Sequence, residues 1–219
     1  MPLPVNTRFA DPNGEIDKHW KNLPHWQQDG ATFFVTYRLA DSLPDSLLRA
    51  WRSERTLWLA LHLKPWSEDT EAEYHKRFSS EIDRWLDAGH GGCVLRAAEV
   101  AGIVAEVLRC FDGARYCFHA WVVMPNHVHL LFSLNAGRRL EDEIKLWKGV
   151  SARRINRLLS RSGMLWMPDY FDRLIRDERH FWNCARYIRR NPLKAGLLDS
   201  GFRLFEADAV RRHLDLAGA

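Results

Sequence analysis

The chain has 219 residues, 46% hydrophobic and 27% charged, with a formal net charge of +4 and an isoelectric point near 9.0. This suits one soluble domain spanning residues 1–219, or one domain with an insertion, and leans mildly toward polyanionic partners. No apolar run approaches the ~20 residues of a membrane span, the first twenty residues lack a signal-peptide core, and the expected compartment is the cytoplasm.

Cys93, Cys110, Cys117 and Cys184 are scattered without a C-x-x-C pair, and read as buried thiols in a reducing environment. The ten tryptophans must serve as core, groove lining or stacking surfaces.

Residues 1–30 read as a polar, irregular leader closing on Gly30. "ATFFVTYRLA" (31–40) is rich in β-formers and reads as a strand. Beyond Pro44, Leu47, Leu48, Trp51, Leu57, Trp58 and Leu61 follow helical spacing until Pro65. Ser67 caps a second helix carrying Tyr74, Phe78, Ile82 and Trp85, ended by Gly89, Gly91 and Gly92.

A third helix runs from about Ala97 to Phe111, and Asp112-Gly113 makes a turn. "RYCFHAWVVMP" and "HVHLLFSL" are two strands joined tightly at Pro125-Asn126. A long helix follows from about Leu140 to Arg161, then a short strand in "YFDRLIRD" (170–177). The last helix, 178–190, is expected to stop near Pro192, because the residue before proline is pushed out of helical geometry. The tail after Gly196 carries no clear pattern.

With residues 41–95 set aside as a helical insertion, the order is strand, helix, strand, strand, helix, strand, helix. This is the split β-α-β pattern: an α+β, ferredoxin-like antiparallel sheet with helices on one face and an added terminal helix, the core lying at about 97–192.

In "WVVMPNHVHLLF", His127 and His129 are separated by one residue, so on a strand both project to the same face. Two imidazoles can bind a divalent cation if a third donor comes from elsewhere. Two histidines on a solvated sheet face are the commoner outcome of so short a pattern, but the apolar run around this pair suggests a protected cleft.

"ERHFWNCARYIRRNPLKAGL" supplies a candidate donor. Phe181, Ala185 and Ile188 form a core stripe, and Tyr187 lies beside it with Asn191 one turn on. Arg186, Arg189 and Arg190 flank them. Alone, this pattern fits a tyrosine at the core edge among solvated arginines. With a metal held by two imidazoles and an amide oxygen, it fits tyrosine attack on a phosphodiester.

"AWVVMPNHVHLLF" and "RYIRRNPLKAGL", in that order, resemble the IS200-like single-tyrosine transposases of the His-hydrophobe-His nuclease superfamily, and more closely the repeat-associated (REP-associated) tyrosine transposases. "LPHWQQDGATFFVTYRLADSLP" and "YFDRLIRDERHF" resemble one branch of that group, so the likeness covers roughly residues 20–200. The resemblance implies that His127, His129 and Asn191 hold Mg2+ or Mn2+ and that Tyr187 is the nucleophile. It further implies single-stranded DNA as substrate, often beside a hairpin, cut to a 5′-phosphotyrosine and a free 3′ hydroxyl. Both monomers and homodimers occur among such proteins. Two alternatives stay open: a domesticated module that binds nucleic-acid hairpins without cutting, and a metal-dependent phosphodiesterase using water.

Tyr37, Tyr116 and Tyr170 are rival tyrosines, read as packing residues or as ill placed beside acids. Lys148, Arg154 and Arg157 on the long helix, Arg186 and Arg190 beside Tyr187, and Arg38 at the end of the first strand are the candidate DNA contacts. Such contacts would weaken steeply with salt. Trp147 and Trp166 are read as core in preference to base-stacking platforms.

Overall fold

A computed structural model describes residues 3–14, 17–20, 24–63, 66–197 and 200–218. The segment expected to be irregular contains an antiparallel hairpin, β1 (Asp17–Trp20) with β2 (Pro24–Gln27). "DKHW" and "PHWQ" show no apolar alternation, so only the pairing reveals them as strands.

The sequence then runs through β3 (Thr32–Arg38), α1 (Asp45–Leu61), α2 (Glu68–Tyr74), α3 (Ser80–Asp87) and α4 (Ala98–Arg109). It continues with β4 (Tyr116–Val123), β5 (His127–Leu134), α5 (Leu140–Leu158), β6 (Phe171–Leu174), α6 (Glu178–Lys194), β7 (Arg203–Glu206) and α7 (Asp208–Leu216). Five strands form one antiparallel sheet in the order β6-β3-β5-β4-β7. The first four places are the expected ferredoxin-like arrangement; β7, unforeseen in the tail, adds the fifth.

Both sheet faces are covered, which is why β5 is buried at every position. Val128, Leu130, Phe132 and Leu134 face α4 and α5, where Val104, Leu108, Ile144, Trp147 and Ile155 complete a core. Leu131, with Phe34 and Val122, faces α6 and α7, packing on Phe181, Ala185, Ile188, Val210 and Leu214. By the two-residue period, His127, His129 and Ser133 point to this second face.

The sequence-based expectation for α6 needs correction: it continues to Lys194, with Pro192 inside it. Proline removes its own N–H and crowds the carbonyl four residues back, here that of Ile188, a cost that packing must offset. Asn191 and Pro192 are buried, and the Leu197 N–H donates to the Pro192 carbonyl at 2.8 Å. Arg189 anchors the tail, donating to both Glu206 carboxylate oxygens at 2.8 and 2.7 Å and to Asp215 at 2.8 Å.

The insertion has its own core: Trp51, Trp58, Phe78, Ile82 and Leu86. The Ser67 hydroxyl accepts the Thr70 N–H at 3.2 Å, as expected of a cap, and a π-helical turn (His75–Ser79) joins α2 to α3. Its two ends are closed on each other. The Gly92 N–H donates to Asp41 Oδ2 at 2.8 Å, and a Cβ on Gly91 would collide with the Asp41 carbonyl oxygen. The cysteine expectation holds only for Cys184: Cys110 is exposed, and Cys93 and Cys117 are half-buried. Among the described residues no helix is long and apolar enough to cross a membrane.

Candidate active site

The residues singled out as metal ligands and nucleophile meet on the α6 face of the sheet. The His127 and His129 rings lie 4.6 Å apart between centroids, and His129 lies 5.1 Å from the Tyr187 ring. Tyr187 Oη is 3.5 Å from His129 Nε2. Phe34 stacks on His129 and meets Tyr187 edge-on, fixing both rings from β3.

Each imidazole is oriented through Nδ1. His129 Nδ1 shares a 2.7 Å hydrogen bond with Thr36 Oγ1, its cross-strand neighbour. His127 Nδ1 lies 2.7 Å from Asn126 Oδ1. The Asn126 amide nitrogen donates to the Leu86 carbonyl at 3.2 Å and the His90 carbonyl at 3.1 Å, so its oxygen must be the atom facing His127. That assigns the proton to Nδ1 and leaves an Nε2 lone pair toward the cleft. Burial pushes His127 down to about 3, against the neighbouring Asn191 side chain, which favours its protonated form; burial and then the adjacent His127 push His129 well below the usual imidazole value, and Lys194 adds to both. Both rings are therefore neutral, the state that ligates a cation.

The donor set fits a divalent cation. His127 Nε2 and Asn191 Oδ1 are buried and lack a hydrogen-bond partner, an arrangement that costs stability unless something fills it. Among the described residues no group of three or more His, Cys, Asp or Glu side chains is set to hold a metal; the set here is two imidazoles and an amide.

Sequence reasoning missed the residues brought in by distant elements. Asp83 and Asp87, one turn apart on α3, face the site from the insertion. Burial, then the charges of Asp83 and Asp87, push the Tyr187 phenol far above its ordinary value, while Arg173 acts the other way. Burial likewise pushes Asp83 up to about 6, against the opposing charge of Arg173. Arg173, opposite Phe34 in the β3–β6 register, is half-buried and has no ion-pair partner among the described residues. No spacing rule links 83, 87 or 173 to 127 or 187; only the helical period joining Asp83 to Asp87 was visible.

The candidate DNA contacts divide. Arg38 is the cross-strand partner of His127, 6% exposed, and donates to Ser42 Oγ at 3.0 Å; burial lowers it only to about 10, so it stays charged. Arg186 and Arg190 lie on α6, half-buried and exposed. Arg157 and Arg154 are exposed on α5, across the sheet from the imidazoles, and Arg154 pairs with Glu106 at 2.5 Å. Lys148 needs correction. Its ammonium donates to the carbonyls of Met167, Pro168 and Asp169 at 2.5, 2.8 and 3.4 Å, which occupies all three of its hydrogens and makes it a loop staple. Trp147, Trp166, Tyr37, Tyr116 and Tyr170 are buried packing residues.

A ferredoxin-like α+β fold with a paired-histidine, tyrosine and amide cluster on one sheet face is the class defined so far. Comparison with known proteins finds similarity over part of the chain. Residues 98–191 match the family model described as "Transposase IS200 like". The REP-associated tyrosine transposase of Escherichia coli (strain K12) is 27% identical over 97 residues, which is 42% of this chain and 56% of that protein. The chain thus spans about half the length of that relative. A solved REP-associated tyrosine transposase bound to a REP hairpin is 16% identical, covering 81% of this chain and 75% of that one with a TM-score of 0.45. Residues 98–191 are thus similar to IS200-like transposases, and a stretch of comparable length is similar to a REP-associated tyrosine transposase.

Proposed function

We propose that this chain is a divalent-metal-dependent strand-transferase acting on single-stranded DNA next to a hairpin, with Tyr187 as nucleophile. The observation that carries the reading is the 3.5 Å approach of Tyr187 Oη to His129 Nε2, beside two unpartnered buried donor atoms. His127, His129 and Asn191 would hold Mg2+ or Mn2+. Such an ion, when bound, polarises the non-bridging phosphate oxygens as a Lewis acid. Arg173 faces the scissile phosphate and Arg38, on the same sheet face, a neighbouring one, while Arg186 and Arg190 extend that charge along α6. Arg157 and Arg154, on the far side of the sheet, serve a hairpin that reaches around the edge.

The phenol is deprotonated as it attacks. Asp83, largely ionised at neutral pH with its value near 6, is the acceptor beside it. The bond from Tyr187 Oη to phosphorus forms, the bond from phosphorus to the 3′ oxygen breaks, and that oxygen takes a proton from solvent to leave as a 3′ hydroxyl. The 5′-phosphotyrosine keeps the bond energy for rejoining. The carboxylate beside the phenol also supports a second reading, in which Asp83 activates a water and the strand is simply hydrolysed.

Labelled single-stranded DNA with a hairpin, incubated with Mg2+ or Mn2+, separates these. The wild type is expected to give an adduct that survives denaturation, and Tyr187→Phe none. Cleavage with no adduct supports hydrolysis. Binding with no cleavage supports a domesticated hairpin-binding module. An adduct persisting in Tyr187→Phe moves the nucleophile elsewhere.

A further inference from the structure

The 41–95 insertion has no part in the reading drawn from the two motifs, yet its last helix ends against the metal-ligand candidates. The Leu86 and His90 carbonyls receive the Asn126 amide at 3.2 and 3.1 Å, and Asn126 in turn receives the His127 Nδ1–H. One residue along, Asp87 does the equivalent for the third ligand. Asn191 Nδ2 donates to Asp87 Oδ1 at 3.3 Å, while Lys194 holds Asp87 Oδ2 at 2.8 Å. An amide can present either its oxygen or its nitrogen to a cation, and only the oxygen ligates. A carboxylate that accepts from the nitrogen settles which atom is left, and Asn191 Oδ1 is indeed the buried atom without a partner.

We propose that Asp87 is a positioning residue of the metal site: from the insertion, it locks the Asn191 amide with its oxygen toward His127 and His129. This rests on the metal reading above. The insertion is then an outer shell of the catalytic centre. It sets the tautomer of one ligand through Asn126 and the orientation of another through Asp87. Lys194 belongs to the device, since it holds the carboxylate in place from the same helix as Asn191, three residues on.

The test is Mn2+ binding to the full chain, measured by titration calorimetry without DNA, for wild type, His127→Ala, Asp87→Ala and Asp87→Asn. Outer-shell carboxylates that orient metal ligands typically contribute about 10–100-fold in affinity. Asp87→Ala is expected to weaken Mn2+ binding by about that factor. Asp87→Asn keeps an amide oxygen able to accept from Asn191 and is expected to bind within about threefold of wild type, on the same outer-shell reasoning. Thermal melts of the metal-free variants separate lost orientation from lost folding, and Asp87→Asn supplies the comparison if Asp87→Ala fails to fold. Mn2+ binding lost in His127→Ala but unchanged in Asp87→Ala overturns the positioning role alone. Asp87→Asn falling as far as Asp87→Ala, with both folded, also overturns it, because charge and not orientation would then matter. A wild type that takes up no Mn2+ overturns the metal reading, and this inference with it.

Discussion

At the scale of single residues, the site is built from neutral donors enclosed by charge. His127 and His129 are neutral imidazoles, while Asp83, Asp87, Arg173 and Lys194 surround the cluster. The strand period placed the two histidines on one face, and the helical period placed Asn191 one turn after Tyr187, so these four were legible from spacing. Arg173 was not, since β6 is brought beside β3 only by the sheet order. Its half-buried guanidinium fits transition-state charge on the scissile phosphate, and loss of one such donor commonly costs about 100-fold or more in rate. Arg173→Ala is therefore expected to slow adduct formation at saturating DNA by about 100-fold, with hairpin affinity changed far less. An unchanged single-turnover rate would remove Arg173 from the reacting centre.

At the scale of elements, the insertion behaves as part of the site because it is rigidly built. Phe78 is 0% exposed and packs on Trp51, Trp58 and Tyr74 at ring distances of 6.2, 5.8 and 5.4 Å. The Trp51 indole N–H donates to the Phe78 carbonyl at 3.2 Å, tying α1 to the π-helical turn before α3. Truncating a buried phenylalanine typically costs about 3–5 kcal/mol. Phe78→Ala should lower unfolding stability by about that amount in denaturant titration. A loss below about 1 kcal/mol would mean that the aromatic cluster can collapse around the gap. The apolar spacing of Tyr74, Phe78 and Ile82 was readable as one helix. The π-helical turn within it was not, because a single wider turn hardly alters that spacing.

At the scale of the whole molecule, the covered sheet buries histidines away from water. His119 is 0% exposed, shares a 2.8 Å hydrogen bond with Ser133 Oγ and packs on Phe181; burial lowers it to about 4. Its folded value lies below its unfolded one, so the unfolded chain takes up the proton first. The stability it contributes is whole above about pH 6.5 and is lost as pH falls toward about 4, a loss on the order of 3 kcal/mol. Asp83, raised by burial to about 6, acts in the opposite sense, losing stability as pH rises from about 4 to about 6. The informative comparison is thus wild type against His119→Leu. Chemical unfolding across pH 4–7 should show a flatter acid limb in the variant by about that amount. Parallel limbs would mean that His119 takes up its proton at the same pH in the folded and the unfolded chain.

The sequence by itself determined the strand and helix periods, the side on which the paired histidines emerge, and the tyrosine-to-asparagine turn. Those are local facts, carried by residues within one element. Only the tertiary structure decided that α3 of the insertion closes over Asn126 and Asn191, that Arg173 joins the site from β6, and that Lys148 spends its hydrogens on a loop. It also decided that Pro192 stays helical and that β7 extends the sheet. The physical reason is common to all of these. Hydrogen-bond satisfaction and burial are settled between segments far apart in the chain, and no periodicity along the chain records which segments will meet.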